Sequence, residues 1–274
     1  MSVGERARLA ELIEEKLRDG VDGFLCVVEE EGTEMPVLIV SPGSPEISKV
    51  VVRSRRFPLA AVISRLQSEY PGRRFAVLVR GCDERALVEL SKMEQVDLER
   101  LEMVGLACSG EEAEKCACPR PYPTRVDLGE RSESTGGGGL PVEPEAVDPA
   151  ERRRFWAEHF SRCIKCYGCR NICPMCFCKE CALENPDLVE PGSIPPEFPS
   201  FHLVRAVDMA GRCIDCGLCE EACPAEIPLR GLYRRLLEVV EEKLGYRPGM
   251  DREARNPLGC LGEEKGILPI SREE

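Results

Sequence analysis

The chain has 274 residues, of which 43% are hydrophobic and 31% charged, with a formal net charge of −12. That composition is soluble and globular, long enough for two domains with separate cores. No apolar run approaches the ~20 residues of a membrane span, and the acidic balance disfavours nucleic acid and anionic membrane as general partners.

The opening MSVGERARLAELIEEKLRDG is too charged for a secretory signal. Within it Leu9, Leu12, Ile13 and Leu17 recur at helical spacing, and Gly20 ends that helix. Apolar runs at Phe24–Val28, Val37–Val40, Phe75–Val79 and Met103–Ala107 predict strands. Pro58 opens a helix bearing Leu59, Val62, Ile63 and Leu66, and Asp83 caps another bearing Leu87, Val88 and Leu90. Alternating strands and helices predict a mostly parallel sheet covered on both faces, an α/β domain over residues 1–118. Residues 119–148, with five prolines and the run Gly136–Gly139, read as a linker or an extended strap. No Lys-Ser/Thr follows the glycines, so they form no phosphate loop. Residues 149–162 predict a helix whose Arg152, Arg153 and Arg154 are a solvated face or a dock for an acidic partner. From Ile227 the spacing of Leu232, Leu236, Val239 and Val240 predicts a helix that stops at Gly245. Residues 149–246 are thus expected to form an α+β ferredoxin-like domain, and residues 247–274 an irregular tail.

Seventeen cysteines without an export signal point to a reducing compartment, the cytoplasm, where thiols hold metals instead of pairing. Two runs stand in register: Cys163-Ile-Lys-Cys166-Tyr-Gly-Cys169-Arg-Asn-Ile-Cys173-Pro174 and Cys213-Ile-Asp-Cys216-Gly-Leu-Cys219-Glu-Glu-Ala-Cys223-Pro224. Both follow C-x2-C-x2-C-x3-C-P, the spacing of two-cluster ferredoxins, in which three thiolates cap three corners of a cubane and the fourth reaches the other cluster. The expected ligands are therefore Cys163, Cys166, Cys169 and Cys223 for one 4Fe–4S cluster, and Cys213, Cys216, Cys219 and Cys173 for a second. Zinc would need only two C-x2-C pairs, not eight cysteines and two prolines in register. Cys176, Cys178 and Cys181 follow the first run and read as packing side chains or an extra metal site. Neither they nor Cys260 can be given a role from spacing.

A subtler set lies in the first domain. Cys82 and Asp83 follow one predicted strand, Cys108 and Ser109 follow another, and Cys116 and Cys118 come just after. The carboxyl ends of parallel strands share one edge, where ligands bind. Cys82, Cys108, Cys116 and Cys118 could hold a third cluster there, although unligated cysteines are also common in cores. His159 and His202 are isolated and suggest no role.

The segments Gly20-Val-Asp-Gly23, Gly81-Cys82-Asp83-Glu-Arg-Ala-Leu-Val-Glu-Leu90 and Val104-Gly-Leu-Ala-Cys108-Ser-Gly110 resemble the coenzyme F-420 hydrogenase/dehydrogenase beta-subunit family. The string Cys163 to Cys181 and Gly245-Tyr246-Arg-Pro-Gly249 are similar to formate dehydrogenase beta subunits within it. The resemblance implies an electron-transfer subunit, not a catalytic chain by itself, beside a formate dehydrogenase-like or hydrogenase-like catalytic subunit. It further implies contact with a heterodisulfide reductase-like complex. Because many such relatives bind FAD, it makes a flavin the rival occupant of the edge bearing Cys82, Asp83, Cys108 and Ser109. The alternative function is then an FAD-containing subunit that oxidises or reduces the deazaflavin coenzyme or a nicotinamide. Against FAD, Val52-Arg53-Ser54-Arg55-Arg56 stands where those relatives carry a Gly-Ser-Lys-Tyr-like segment.

Overall fold

The computed structural model describes residues 3–118, 120–132 and 148–259. The glycine run at 136–139, Cys260 and the end of the tail lie outside the described residues. Helix α1 (Val3–Arg18) turns Leu9, Leu12, Ile13 and Leu17 to the interior at helical spacing. Strands β1 (Gly23–Glu30) and β2 (Thr33–Ile39) form an antiparallel hairpin, which turns through Glu31 and Gly32, both at positive φ. After helix α2 (Leu59–Glu69) come β3 (Phe75–Val79), α3 (Gly81–Lys92), β4 (Leu101–Gly105) and α4 (Gly110–Cys116). The strand order is β2-β1-β3-β4, with β1, β3 and β4 parallel and β2 antiparallel at the edge. The sheet is therefore mixed.

Alternation along β1 makes the two-sided core. Phe24, Cys26 and Val28 point to the α1 side, whereas Leu25 points to the side covered by Ile63 of α2 and by Leu87 and Leu90 of α3. Helix α3 begins at Gly81, two residues before the expected cap. Asp83 sits inside its first turn, and its Oδ2 accepts from the Arg80 amide at 2.9 Å. Residues 120–132 run along the carboxyl ends of the strands, with Cys108 N donating to Pro121 O and Ala107 N to Leu128 O, both at 2.9 Å.

The second half has a different build. Helices α5 (Pro149–Ser161), α6 (Gly168–Asn171), α7 (Ser200–Met209), α8 (Leu218–Glu221) and α9 (Leu229–Leu244) are joined by loops, and Gly245 closes α9 in the left-handed region. Among its described residues no strand occurs, where an α+β unit was expected. Positive φ at Lys165, Tyr167, Asp215 and Gly217 coils the cysteine loops too tightly for extended pairing. The halves share a core, because Met175, Met209 and Ile214 join the cluster on the α2–α3 side of the sheet. Among the described residues no helix is long and apolar enough to cross a membrane.

One buried carboxylate ties the tail to the first domain. Glu89 of α3 is fully buried and accepts from Tyr246 Oη at 2.6 and 2.8 Å, Gly249 N at 2.9 Å and Asn256 Nδ2 at 3.1 Å. Lys92 Nζ lies 3.4 Å away. Gly249 has φ +69°, and a Cβ there would meet the Arg85 carbonyl at 2.2 Å, so only glycine brings its amide to the carboxylate. Glu89→Ala takes the acceptor from the buried Tyr246 hydroxyl and Gly249 amide and should cost about 3 kcal/mol. The expected result is a melting temperature lowered by several degrees and new proteolytic cleavage between residues 246 and 259. An unchanged melting temperature and cleavage pattern would show that Glu89 does not hold the tail.

Candidate metal centres

The two cysteine runs fold alike. In each, the third residue (Lys165 or Asp215) and the fifth (Tyr167 or Gly217) take positive φ, and a four-residue helix follows. The fourth cysteine then folds back in each: Cys173 N donates to Arg170 O and Cys223 N to Glu220 O, both at 3.1 Å. Repeated left-handed residues wind three sulfurs around one loop and send the fourth away from it.

The fourth cysteines cross over. Cys163, Cys166 and Cys169 line one cavity together with Cys223, and Cys213, Cys216 and Cys219 line another together with Cys173. Cys166 is exposed at the surface, while its companions are half-buried. Burial pushes the thiols of Cys163, Cys169 and Cys216 up, and that of Cys213 up to about 12. Such thiols stay protonated at neutral pH unless a metal takes the proton's place.

Two orphaned polar atoms fit anionic sulfur. His202 lines the first cavity, and its Nδ1 is buried without a hydrogen-bond partner among the described residues. Burial pushes His202 down to about 4, so its stacked ring against Phe160 (3.8 Å between centroids) is neutral. Arg205 lines the second cavity, and its Nε is equally unpartnered. Four thiols and an unsatisfied buried nitrogen at each cavity suit a cubane, whose sulfides and thiolates accept hydrogen bonds. Among the described residues no group of three or more His, Cys, Asp or Glu side chains is arranged to hold a single metal ion.

The first domain brings its four cysteines together as well. Cys82, Cys108, Cys116 and Cys118 line a cavity of about 580 Å³ at the sheet edge. Cys82 sits on the first turn of α3, Cys108 after β4, Cys116 at the end of α4, and Ala117 reverses the chain in the left-handed region before Cys118. Guanidinium groups face the sulfurs: Arg85 Nη2 is 3.5 Å from Cys118 Sγ, and Arg56 Nη1 and Arg230 Nη1 are each 3.9 Å from Cys116 Sγ. Asp83 and Ser109 are occupied as caps, Asp83 of α3 and Ser109 of α4, where Ser109 Oγ accepts from Glu112 N at 3.2 Å. Cys82 lies near enough to Cys216 for their charges to interact, which sets this cavity beside the second one.

Cys176, Cys178 and Cys181 line a further cavity of about 590 Å³ with Arg170, Arg205 and Arg212. Arg205 Nη1 donates to Cys176 Sγ at 3.1 Å, and Arg212 Nη1 lies 3.9 Å from Cys178 Sγ. Arg85, Arg205, Arg230 and His202 carried no signal in the sequence beyond charge or isolation.

Comparison with known proteins agrees with this chemistry. A 4Fe–4S binding domain model matches residues 206–228. The chain is similar to the F420-dependent formate dehydrogenase subunit beta of Methanocaldococcus jannaschii, with 47% identity over 96 residues, 35% of this chain and 25% of the relative. It is also similar to the F420-dependent formate dehydrogenase 1 subunit beta of Methanococcus maripaludis, with 50% identity over 104 residues, 38% of this chain and 27% of the relative. Lactate utilization protein B of Bacillus cytotoxicus shares 31% identity over 195 residues, 65% of this chain and 36% of the relative. The matches to the two beta subunits thus span about a quarter of those relatives' length. Over the matched part, this chain is a homologue of F420-dependent formate dehydrogenase beta subunits that carries a 4Fe–4S binding domain.

Proposed function

We propose that this chain is an iron–sulfur electron-transfer subunit with two 4Fe–4S clusters in its second half, one on Cys163, Cys166, Cys169 and Cys223, the other on Cys213, Cys216, Cys219 and Cys173. The observation that carries the reading is the crossover, since each fourth cysteine shares a cavity with the other run's first three. Clusters of this kind carry single electrons. The protein's own residues hold the two cavities close: Arg205 lines the second and donates to the Cys169 carbonyl of the first set at 3.0 Å. Exposed Cys166 brings the first set to the surface, where a partner can exchange electrons. The partner is a catalytic oxidoreductase subunit, formate dehydrogenase-like by the named relatives, and the acceptor is a second carrier or a heterodisulfide reductase-like complex.

The same proposal gives Cys82, Cys108, Cys116 and Cys118 a third cluster. Four thiols line the cavity, and Arg56, Arg85 and Arg230 offset their charge. The flavin alternative needs backbone open to phosphate at the start of α3. There the Arg80 amide already donates to Asp83 Oδ2 at 2.9 Å, which sets a carboxylate where the phosphate would bind. The neighbourhood of Cys82 and Cys216 would then continue the relay from the sheet edge into the second set.

Anaerobic reconstitution of the full chain should give about twelve iron and twelve sulfide, about four of each per cluster. Cys169→Ala and Cys219→Ala should each remove one cluster. Stoichiometric zinc without sulfide would refute the relay. Cys108→Ser should lower the iron to about eight and leave the spectrum of the paired clusters in place. A parent chain with about eight iron and one extractable FAD would instead hand the sheet edge to the flavin. The chain alone should show no turnover with formate and should accept electrons only through an added catalytic subunit. Formate oxidation by the isolated chain would make it an enzyme in its own right.

A further inference from the structure

Arg205 is 4% exposed, on the inner face of α7. Nη1 donates to Cys176 Sγ at 3.1 Å, Nη2 donates to the Cys169 carbonyl at 3.0 Å, and Nε has no partner among the described residues. The guanidinium lies 5.9 Å from the centre of the Tyr233 ring. The groups that act on its charge are the Tyr233 phenol and the thiols of Cys173, Cys176 and Cys169. None is a carboxylate. Among the described residues the other buried arginines have an acidic or a broader polar partnership: Arg230 pairs with Asp215 at 2.6 Å, Arg80 lies 3.8 Å from Glu112, and Arg85 reaches the Ile214 and Arg120 carbonyls as well as Cys118. A guanidinium taken out of water costs several kcal/mol unless an anion faces it. Cys176 Sγ and the Cys169 carbonyl hold two of its nitrogens, and neither supplies an acceptor for Nε.

Position identifies what does. Arg205 touches Cys169 of the first set and lines the cavity of the second, where Cys173 acts on its charge. Resting on the two-cluster reading above, we propose that Arg205 is the shared counter-charge of both clusters, a fixed cation between them that raises both reduction potentials. A cubane held by four thiolates is an anion, and one-electron reduction makes it more negative by one charge. A buried cation a few ångströms away therefore favours the reduced form of each cluster, and low local dielectric strengthens the effect. No proton or bond is exchanged. Arginine suits the place better than lysine, because its fork holds Cys176 and the Cys169 carbonyl with two nitrogens and leaves Nε for cluster sulfur. Cys176 is then a positioning residue for the fork, which gives one of the three extra cysteines a purpose.

The test is an EPR-monitored redox titration of the full chain, reconstituted anaerobically, with iron and sulfide counted on the same samples. Arg205→Gln should keep the parent's iron and move both paired clusters to more negative potentials, whereas Arg205→Lys should stay nearer the parent. Parent potentials in a fully loaded Arg205→Gln would overturn the proposal. If Arg205→Gln loads poorly, Arg205→Lys must load fully, since it keeps the charge, and a lysine variant that loads as poorly as glutamine also overturns it. A parent chain that takes up no cluster would instead defeat the two-cluster reading, before any variant is compared.

Discussion

The arrangement of the three thiol cavities depends on one buried carboxylate, Asp215, which stands between Cys213 and Cys216 at 4% exposure. It accepts from Arg230 Nε at 2.6 Å and Arg234 Nε at 2.9 Å. Those two arginines start from α9 and reach past it to the first domain, Arg230 to the Cys116 carbonyl and Arg234 to the Ala117 carbonyl at 2.7 Å. From the other side Arg85 Nε reaches the Ile214 carbonyl at 3.3 Å and Arg56 the Cys216 carbonyl. The second cysteine loop is thus held between the sheet edge and α9 by charged hydrogen bonds on both faces. Burying these ions is expensive, and the return is geometric: their donors reach loop carbonyls, the Asp215 carboxylate and cysteine sulfur, which fixes the loop's position.

That clamp fixes the sheet edge against the cysteine half. A cluster's surroundings are set by charge, hydrogen bonds to sulfur and exposure, and here all three vary along a line. The sheet-edge cavity is ringed by Arg56, Arg85 and Arg230. The second cavity is interior, between Arg205 and Arg230. The first opens to solvent at Cys166 and has the neutral His202 beside it. Under the proposed relay an electron would leave a strongly cationic, buried setting for an exposed one, so the three cavities are electrostatically unequal even though each is lined by four cysteines.

How much was legible in the sequence followed from whether the cause was local. The cysteine runs could be read because a cubane imposes its spacing on a single loop, and the crossover came with that spacing. Helix α9 and its stop at Gly245 followed from an apolar stripe and a left-handed end. The edge strand β2 was expected as a strand, yet its direction was not legible. Its turn is Glu31-Gly32, without the Asn or Asp that makes a hairpin signal strong. The part of the 119–148 stretch that rests on the sheet edge does so through backbone hydrogen bonds, which leave no apolar periodicity to detect. Glu89 and Arg205 were invisible for a further reason. A charged residue on a helix reads as a solvated one, and only partners from other elements, Tyr246 for Glu89 and Cys169 and Cys176 for Arg205, make burial tolerable.

The second half also shows why metal and fold cannot be separated in such a chain. Its own apolar clusters are small: Phe160, Ala206, Ile227, Leu229 and Tyr233 in one, and Leu183, Val189 and Phe201 in another. The side chains completing the first of these include Cys163, Cys169, Cys213, Cys219 and Cys223, the sulfurs that line the two cavities. Apolar burial on this scale is modest against the conformational entropy of about a hundred ordered residues, at about 1–2 kcal/mol each. Thiols raised by burial add a further cost to any state in which they must ionise without a metal. Ligation as proposed above would remove both difficulties at once, because it exchanges the proton for a metal and would cross-link residues as distant as Cys163 and Cys223 through one centre. The sheet domain, with its two-sided core, can stand on apolar packing. The cysteine half packs its cavity-lining sulfurs into its core, so the residues proposed to hold the clusters are also those on which its fold rests.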